Sequence, residues 1–537
     1  MNYSQEVAKK IIPTGINSLV DAFEVSCEAH QDKVAFSCLG HEMTFSKLDD
    51  LSNRFAHYLI NKLHLKTGDR IALQLPNINQ YAVAVWGIWR AGMVTVNTNP
   101  MYTPRELVHQ YNDSQAQVLI VLDTLLPVVT RVLAKTSIKH VISVNLSDLV
   151  SPLTERSDSN VTPFSSVLLA KPETAISVPI KMNSLAALQY TGGTTGPSKG
   201  AMLSHGNLYC GHVMGRESVL VNVSNAPEIL IAVLPVYHVF GFTQNIIGSV
   251  LQGGMSVMIP DPRNVESIIQ AMKTHPFTNM AGVNTLLSGL MAHPEFDEID
   301  FSNITGVIVG GTALVKEIGN AWERRTNTKI YEGYGLSETC SNCCCNRPES
   351  AEIGTVGPSL NYQEIKLIDG VGRVVDEGER GEICIRGPNI MQGYWRNPEA
   401  TSEAINTDGW FKTGDVGVLN ERGHLKIVDR IKDMIIVSGF NVYPNEIEAV
   451  IYGHSNIVEC AVIGVDDEAT GEAIKLYVVS DSDKLTKEDI IQFCRAELTA
   501  YKVPKKIIFK DDLPKSPAGK ILRRELRALS DNVSGES

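Results

Sequence analysis

Short apolar runs alternate with segments of helical periodicity over most of the chain. Ile71 to Leu75 reads as a buried strand ahead of a helical Tyr81 to Ala91, and Val118 to Val121 as another strand after a segment opened by Pro104. Leu185 to Leu188, Leu230 to Leu234, Met255 to Ile259 and Gly306 to Val309 have the same length and composition. Val265, Ile268, Ile269 and Met272 recur at helical spacing, a stripe that faces a core rather than a ligand. Strands alternating with helices predict an α/β fold with a large N-terminal domain of βα subdomains and mixed sheets.

A polar stretch bearing Ser and Thr, from about Asn145 to Asn183, reads as a loosely structured connection. After Asp408-Gly409 the pattern changes to short strand-like segments separated by glycine. Past Asp433 it becomes a compact mix of strands and helices with a polar tail, so a small α+β C-terminal domain is expected there. No internal repeat is evident.

With 537 residues and 43% hydrophobic content, the chain can bury a large core and divide into more than one domain. A net charge of -12 and a pI near 5.6 exclude nucleic acid as a general partner, which would need a broad basic field. Ten cysteines lack a regular disulfide framework, which favours a reducing cytoplasm. Four of them crowd at Cys340, Cys343, Cys344 and Cys345; without paired spacing and histidines they read as small pocket-lining side chains rather than metal ligands. Met1 to Gly15 carries no apolar core of signal-peptide length. The long apolar stretch Val118 to Leu133 is interrupted by Asp123, Thr124 and Arg131, which leaves only peripheral membrane contact.

The densest chemistry lies in Tyr190-Thr191-Gly192-Gly193-Thr194-Thr195-Gly196-Pro197-Ser198-Lys199-Gly200. Glycine lets backbone N–H groups approach anionic oxygens, threonine adds hydroxyls, and Lys199 adds a charge. Ser204 can cap a helix beginning near Gly206, which would set the loop at a strand-to-helix junction where the helix dipole also favours anions. The spacing departs from the common nucleotide loop, in which Gly directly precedes Lys and a hydroxyl directly follows it. A flexible linker therefore stays open beside a phosphate cradle at this point.

Five further segments follow in order: Leu234-Pro235-Val236-Tyr237-His238, Tyr331-Glu332-Gly333-Tyr334-Gly335-Leu336-Ser337-Glu338-Thr339, Trp410-Phe411-Lys412-Thr413-Gly414-Asp415, Asp429-Arg430-Ile431-Lys432-Asp433 and Pro514-Lys515-Ser516-Pro517-Ala518-Gly519-Lys520. Together with the loop they resemble the adenylate-forming enzymes, the superfamily of acyl-CoA ligases, luciferases and peptide-synthetase adenylation domains. One such motif is weak; six in this order are specific.

The resemblance implies that ATP is held by Thr191, Gly192, Gly193, Thr194, Thr195, Gly196, Lys199 and Gly311, with adenine beside Gly333, Tyr334 and Gly335. Ser337 stands where family members usually carry threonine and keeps the hydroxyl. Glu338 becomes a catalytic ligand of Mg2+, which needs a hard oxygen. Asp415 takes the ribose hydroxyls, Arg430 adds a cationic contact, and Lys520 is the catalytic lysine that offsets repulsion between the carboxylate and the α-phosphate. Tyr237, His238, Val283 and Gly310 border the acyl site, His238 as a binding residue rather than a base. Leu286, Leu287, Leu290 and Met291 read as helix core instead.

The family makes acyl-AMP and then passes the acyl group to coenzyme A. The lysine must leave before the thiol arrives, so residues 1–430 are expected to form the adenylation domain, 431–433 a hinge at Lys432, and 434–537 a mobile domain whose Ser438 and Gly439 line the pantetheine path. Asp408 to Asp415, Ile427 to Glu448 and Lys520 to Arg527 look most like the bacterial long-chain fatty-acyl-CoA ligases. That implies a fatty acid, ATP and coenzyme A as substrates and service to β-oxidation or lipid metabolism; because a fatty substrate partitions into bilayers, peripheral contact with the inner face of the membrane is expected, and a homodimer stays open beside a monomer. The alternatives are a medium-chain, short-chain or aryl acyl-CoA ligase, a free-standing acyl-AMP ligase that hands its product to a carrier protein, a non-catalytic lipid- or nucleotide-binding protein, and a kinase or ATPase.

Overall fold

A helix that is apolar on every side has to be buried on every side, and Asn79–Arg90 is buried along its whole length. Trp86 stacks on Phe23 at 4.3 Å, and Trp89 Nε1 donates to the carbonyl of Ala186 at 2.8 Å. Gly87 lets the neighbouring helix Phe45–Asn61 press close, because a Cβ there would meet Ser52 O and Phe55 Cδ1 at 2.8 Å. The computed structural model that places this helix describes residues 3–150, 161–191, 197–219, 228–438, 440–467, 470–482, 484–516 and 520–534.

The helix packs on a seven-stranded sheet in the order Thr162–Pro163, His140–Val144, Val118–Leu122, Arg70–Gln74, Val94–Asn97, Leu185–Thr191 and Lys199–Ser204. Every neighbouring pair is parallel except the last. Such strands are covered on both faces, which is why they read as continuous apolar runs. The segment opened by Pro104 is the helix Pro104–Ser114, begun by a reciprocal cap between Thr103 and Glu106.

A second sheet has eight strands: Ser341–Cys345, Ile330–Leu336, Gly306–Gly310, Asn279–Gly282, Ile229–Ala232, Met255–Met258, Val34–Cys38 and His41–Thr44. Its outer pairs are antiparallel and its inner ones parallel. Ile268, Ile269 and Met272 of helix Val265–Thr274 are buried against it, as are Leu287 and Leu290 of helix Asn284–Ala292. A four-stranded antiparallel sheet follows: Glu364–Ile368, Arg380–Arg386, Phe411–Leu419 and Leu425–Arg430.

The last sheet, Phe440–Val442, Ile435–Val437, Gly471–Ser480 and Ile457–Asp467 with Lys506–Phe509 beside Gly471–Ser480, belongs to the small α+β C-terminal domain. The buried clusters on it draw only on residues 435–526.

Within the stretch Asn145 to Asn183, the described residues are more ordered than its polarity suggests; residues 151–160 lie outside them. Thr162–Pro163 joins the seven-stranded sheet, and Phe164 and Val167 of the short helix Phe164–Val167 are buried in the main core. Two apolar anchors in a polar segment suffice to tie it down. All ten cysteines are free and buried. Among the described residues no helix is long and apolar enough to cross a membrane.

Candidate active site

The glycine-rich loop joins the antiparallel strands Leu185–Thr191 and Lys199–Ser204, so it is a hairpin tip rather than a strand-to-helix junction. Gly192, Gly193, Thr194, Thr195 and Gly196 lie outside the described residues; Thr191 and Lys199 flank them as cross-strand partners. Ser204 does cap a helix, accepting from Asn207 N at 3.0 Å, but that helix starts at His205. A strand of roughly 17 Å separates it from Lys199, too far for its dipole to act on the loop. Lys199–Ser204 was hidden as a strand by its short, glycine-bearing sequence, which is buried without alternation.

The segment 392–395 runs beside this second strand. Met202 N donates to Gly393 O at 2.9 Å and Trp395 N to Gly200 O at 2.7 Å. That pairing sets the ring of Tyr394 5.2 Å from Lys199 Nζ and aims its hydroxyl at Glu338, to which it donates at 2.8 Å. Glu338 lies in the tight turn Ser337–Thr339 and is 7% exposed. Burial raises its pKa, while the Tyr394 hydrogen bond and the Arg430 charge oppose the rise. Ser337, half-buried, opens the same turn.

A second group forms where Phe411–Leu419 pairs with Leu425–Arg430, which makes Asp415 and Arg430 cross-strand neighbours. Arg430 Nε meets Asp415 Oδ1 at 3.1 Å, and Tyr334 donates its hydroxyl to Asp415 Oδ2 at 2.5 Å. Asp415 is thus buried and held from both sides. Tyr334 reaches it from the strand Ile330–Leu336, and close packing demands glycine at the neighbouring Gly335. A Cβ on Gly335 would sit 1.4 Å from Ser341 O, and one on the adjacent strand's Gly310 would press Gly333 O at 3.1 Å and Phe240 Cε1 at 3.3 Å. Gly311 adopts φ +83° with open space around it. Val283 and Gly311 each follow the carboxyl end of one of two neighbouring parallel strands, the edge where α/β sheets receive ligands.

Lys520 comes to the same cleft. Solvent reaches it, yet the surrounding protein and the charge of Arg430 pull its pKa down to about 8, with Asp415 opposing. His238 faces the lysine from the start of the helical turn Val239–Gly241; crowding protein and Lys520 draw its pKa to about 4, so its ring is neutral at neutral pH. Tyr237 beside it is half-buried and accepts from Gln189 Nε2 through its carbonyl at 2.9 Å.

Lys432 is exposed in the turn after Arg430, where Asp433 N donates to Arg430 O at 3.0 Å. Ser438 is not gathered into the cleft group. It is exposed at a hairpin tip with φ 49°, and its N–H donates to Thr470 O at 2.8 Å; Gly439 lies outside the described residues.

Tyr394 escaped the sequence reading. Its signal was the Gly393-Tyr394-Trp395 triplet, whose aromatic pair would not be wasted on a polar connection.

The hairpin, the glycine-walled strand and the lysine from a small terminal domain define a class. The chain belongs to the AMP-binding enzyme family, the adenylate-forming enzymes: residues 23–395 match the AMP-binding enzyme and 446–520 the AMP-binding enzyme C-terminal domain. It is similar to the long-chain-fatty-acid–CoA ligase of Salmonella typhimurium, 41% identical over 98% of this chain and 97% of that protein. Among solved structures, ATP-bound MatB of Rhodopseudomonas palustris is 28% identical with a TM-score of 0.86, covering 96% of this chain and 100% of the other. An anthranilate CoA ligase in complex with anthranoyl-AMP shares the fold at a TM-score of 0.89 and 24% identity, over 100% of both chains.

Proposed function

We infer that the protein is an ATP-dependent acid–thiol ligase that joins a long-chain fatty acid to coenzyme A. A carboxylate oxygen attacks the α-phosphorus of ATP, the bond to the bridging oxygen breaks, and pyrophosphate leaves. The thiol of coenzyme A then displaces AMP from the acyl-AMP. The observation that carries this reading is the approach of Lys520 to Asp415, Arg430 and His238, in a cleft tied through Arg430 to Glu338 and through Tyr394 to Lys199.

In this reading Tyr334 offers a ring face to the adenine and Asp415 receives the ribose hydroxyls. Lys199 and the hairpin tip, Thr191 with residues 192–196, hold the phosphates. Lys520, still cationic at neutral pH, bridges the two anions as charge builds on the α-phosphate. Glu338 suits Mg2+: a carboxylate is a hard donor, and one hydrogen bond from Tyr394 leaves it further lone pairs. Bound there, the ion would offset phosphate charge. Neutral His238, with Tyr237, Val283 and Gly310, borders the acid. Residues 434–537 then swing about Lys432, bringing Ser438 and Gly439 toward the thiol path.

ATP–pyrophosphate exchange with fatty acids of graded length, followed by thioester formation, tests the reading. AMP and pyrophosphate are the expected products; ADP would point to a kinase, and exchange confined to short or aryl acids to another ligase. A fatty substrate partitions into bilayers, so the reading extends to reversible docking at the inner face of the membrane, removed if the protein never co-sediments with vesicles. It extends also to a homodimer, checked by sedimentation.

A further inference from the structure

Behind Gly310 a pocket runs between helix His205–Val219, the wide π-helical turn Phe242–Gly248 and the strands Ile229–Ala232 and Gly306–Gly310. Phe240 and Ile308 line it. Phe240 also closes on Gly310 and lies two residues past His238, so the pocket adjoins the cleft where the acid would lie.

A pocket for methylenes alone would be walled by carbon. This one carries His212, Gln244, Gln252 and Asn279. Oε1 of Gln244, Oε1 of Gln252 and Oδ1 of Asn279 are buried with no hydrogen-bond partner among the described residues. Buried acceptors nearly always find donors, so three on residues around one pocket point to a donor that arrives with the ligand. Gln252 and His212 Nε2 share a hydrogen bond at 3.0 Å whose direction the imidazole tautomer sets. Gly248 makes room for that ring, since a Cβ there would lie 2.9 Å from His212 Cε1 and Nδ1. Burial and Arg216 pull the His212 pKa down to about 4, so the ring is a neutral hydrogen-bonding group.

We propose that the polar part of this pocket selects acids that bear a hydroxyl toward the end of the chain. A hydroxyl, both donor and acceptor, can donate to a glutamine or asparagine oxygen and pair with the His212 ring in either tautomer; a saturated tail leaves those oxygens unmatched, and an ether or ketone cannot donate. The inference rests on the acyl-CoA ligase reading and names its substrate class.

The test is ATP–pyrophosphate exchange by the full chain with decanoate, dodecanoate and hexadecanoate against their ω-hydroxy counterparts. At one or more lengths the hydroxy acid is expected to have a kcat/KM about tenfold or more above the plain acid. The double variant His212→Leu with Gln252→Leu, and separately Gln244→Leu, should bring that ratio toward one. Plain acids equalling or exceeding their hydroxy partners at every length would overturn the proposal and leave the ligase reading standing, as would a ratio unmoved by both variants. Exchange with neither series would overturn both.

Discussion

Tyr394 donates its hydroxyl to Oε1 of Glu338 across 2.8 Å, joining residues 56 positions apart. The hydrogen bond favours the charged carboxylate, against a burial that raises its pKa. Tyr394→Phe keeps the ring over Lys199 and removes only the hydroxyl, so the Glu338 pKa rises further. A metal ligand must be ionised, and the acid limb of kcat/KM for ATP therefore moves to higher pH, with a greater Mg2+ requirement. An unmoved limb and an unchanged Mg2+ dependence would break the assignment.

Asp415 sits between Tyr334 Oη and Arg430 Nε with 3% of its surface exposed. Asp415→Asn keeps the shape but leaves the guanidinium of Arg430 without its counter-charge and takes away one acceptor for ribose. Losing one acceptor for ribose and the charge opposite a partly exposed arginine should lower kcat/KM for ATP on the order of tenfold. The check is steady-state kinetics beside a thermal melt. A variant equally active, or one that fails only by unfolding, would remove Asp415 from nucleotide binding.

The sequence exposes these groups unevenly. Tyr334, Glu338, Asp415, Arg430 and Lys520 stand in motifs dense with glycine and charge, where backbone approach and ionic chemistry demand particular residue types. Buried parallel strands such as Val118–Leu122 are legible because both faces must be apolar. The short strand Lys199–Ser204 is not, since local glycine and serine signal a turn and only pairing with Leu185–Thr191 makes it a strand. Tyr394 was invisible for a related reason: its role depends on a register with residues 200–202 that no local pattern encodes. Likewise the polar lining around His212 and Gln252 is scattered over two helical segments and reads as ordinary surface.

Lys520 carries its proton below about pH 8, because the surrounding protein and Arg430 disfavour the cation. If the cation serves adenylation, kcat/KM falls as pH rises through that value. Arg430→Gln removes the repelling neighbour and moves the basic limb upward. Lys520→Ala should lower ATP–pyrophosphate exchange ~10²-fold or more while sparing thioester formation from supplied acyl-AMP, as for the loss of one transition-state donor. Exchange at the unaltered rate would sink the catalytic role.

The turn at Lys432 separates two sets of contacts. Arg527 pairs with Asp433 at 2.7 Å and Arg523 with Glu448 at 2.7 Å, all beyond the turn, so these would travel together. Asn445 N donates to Asp429 Oδ2 at 2.8 Å and Ile431 N to Gly414 O at 2.9 Å, and these reach back across it or end at it. Rotation at Lys432 would have to break the Asn445 contact to Asp429 and leave the first set intact. Lys432→Pro fixes φ near -65°, while Lys432→Ala removes the side chain and leaves the backbone free. The proline variant should adenylate yet fail to form thioester, and the alanine variant should do both, as read by pyrophosphate exchange and by acyl-CoA release. Equal loss of the two half reactions in Lys432→Pro, or loss of neither, would place the pivot elsewhere.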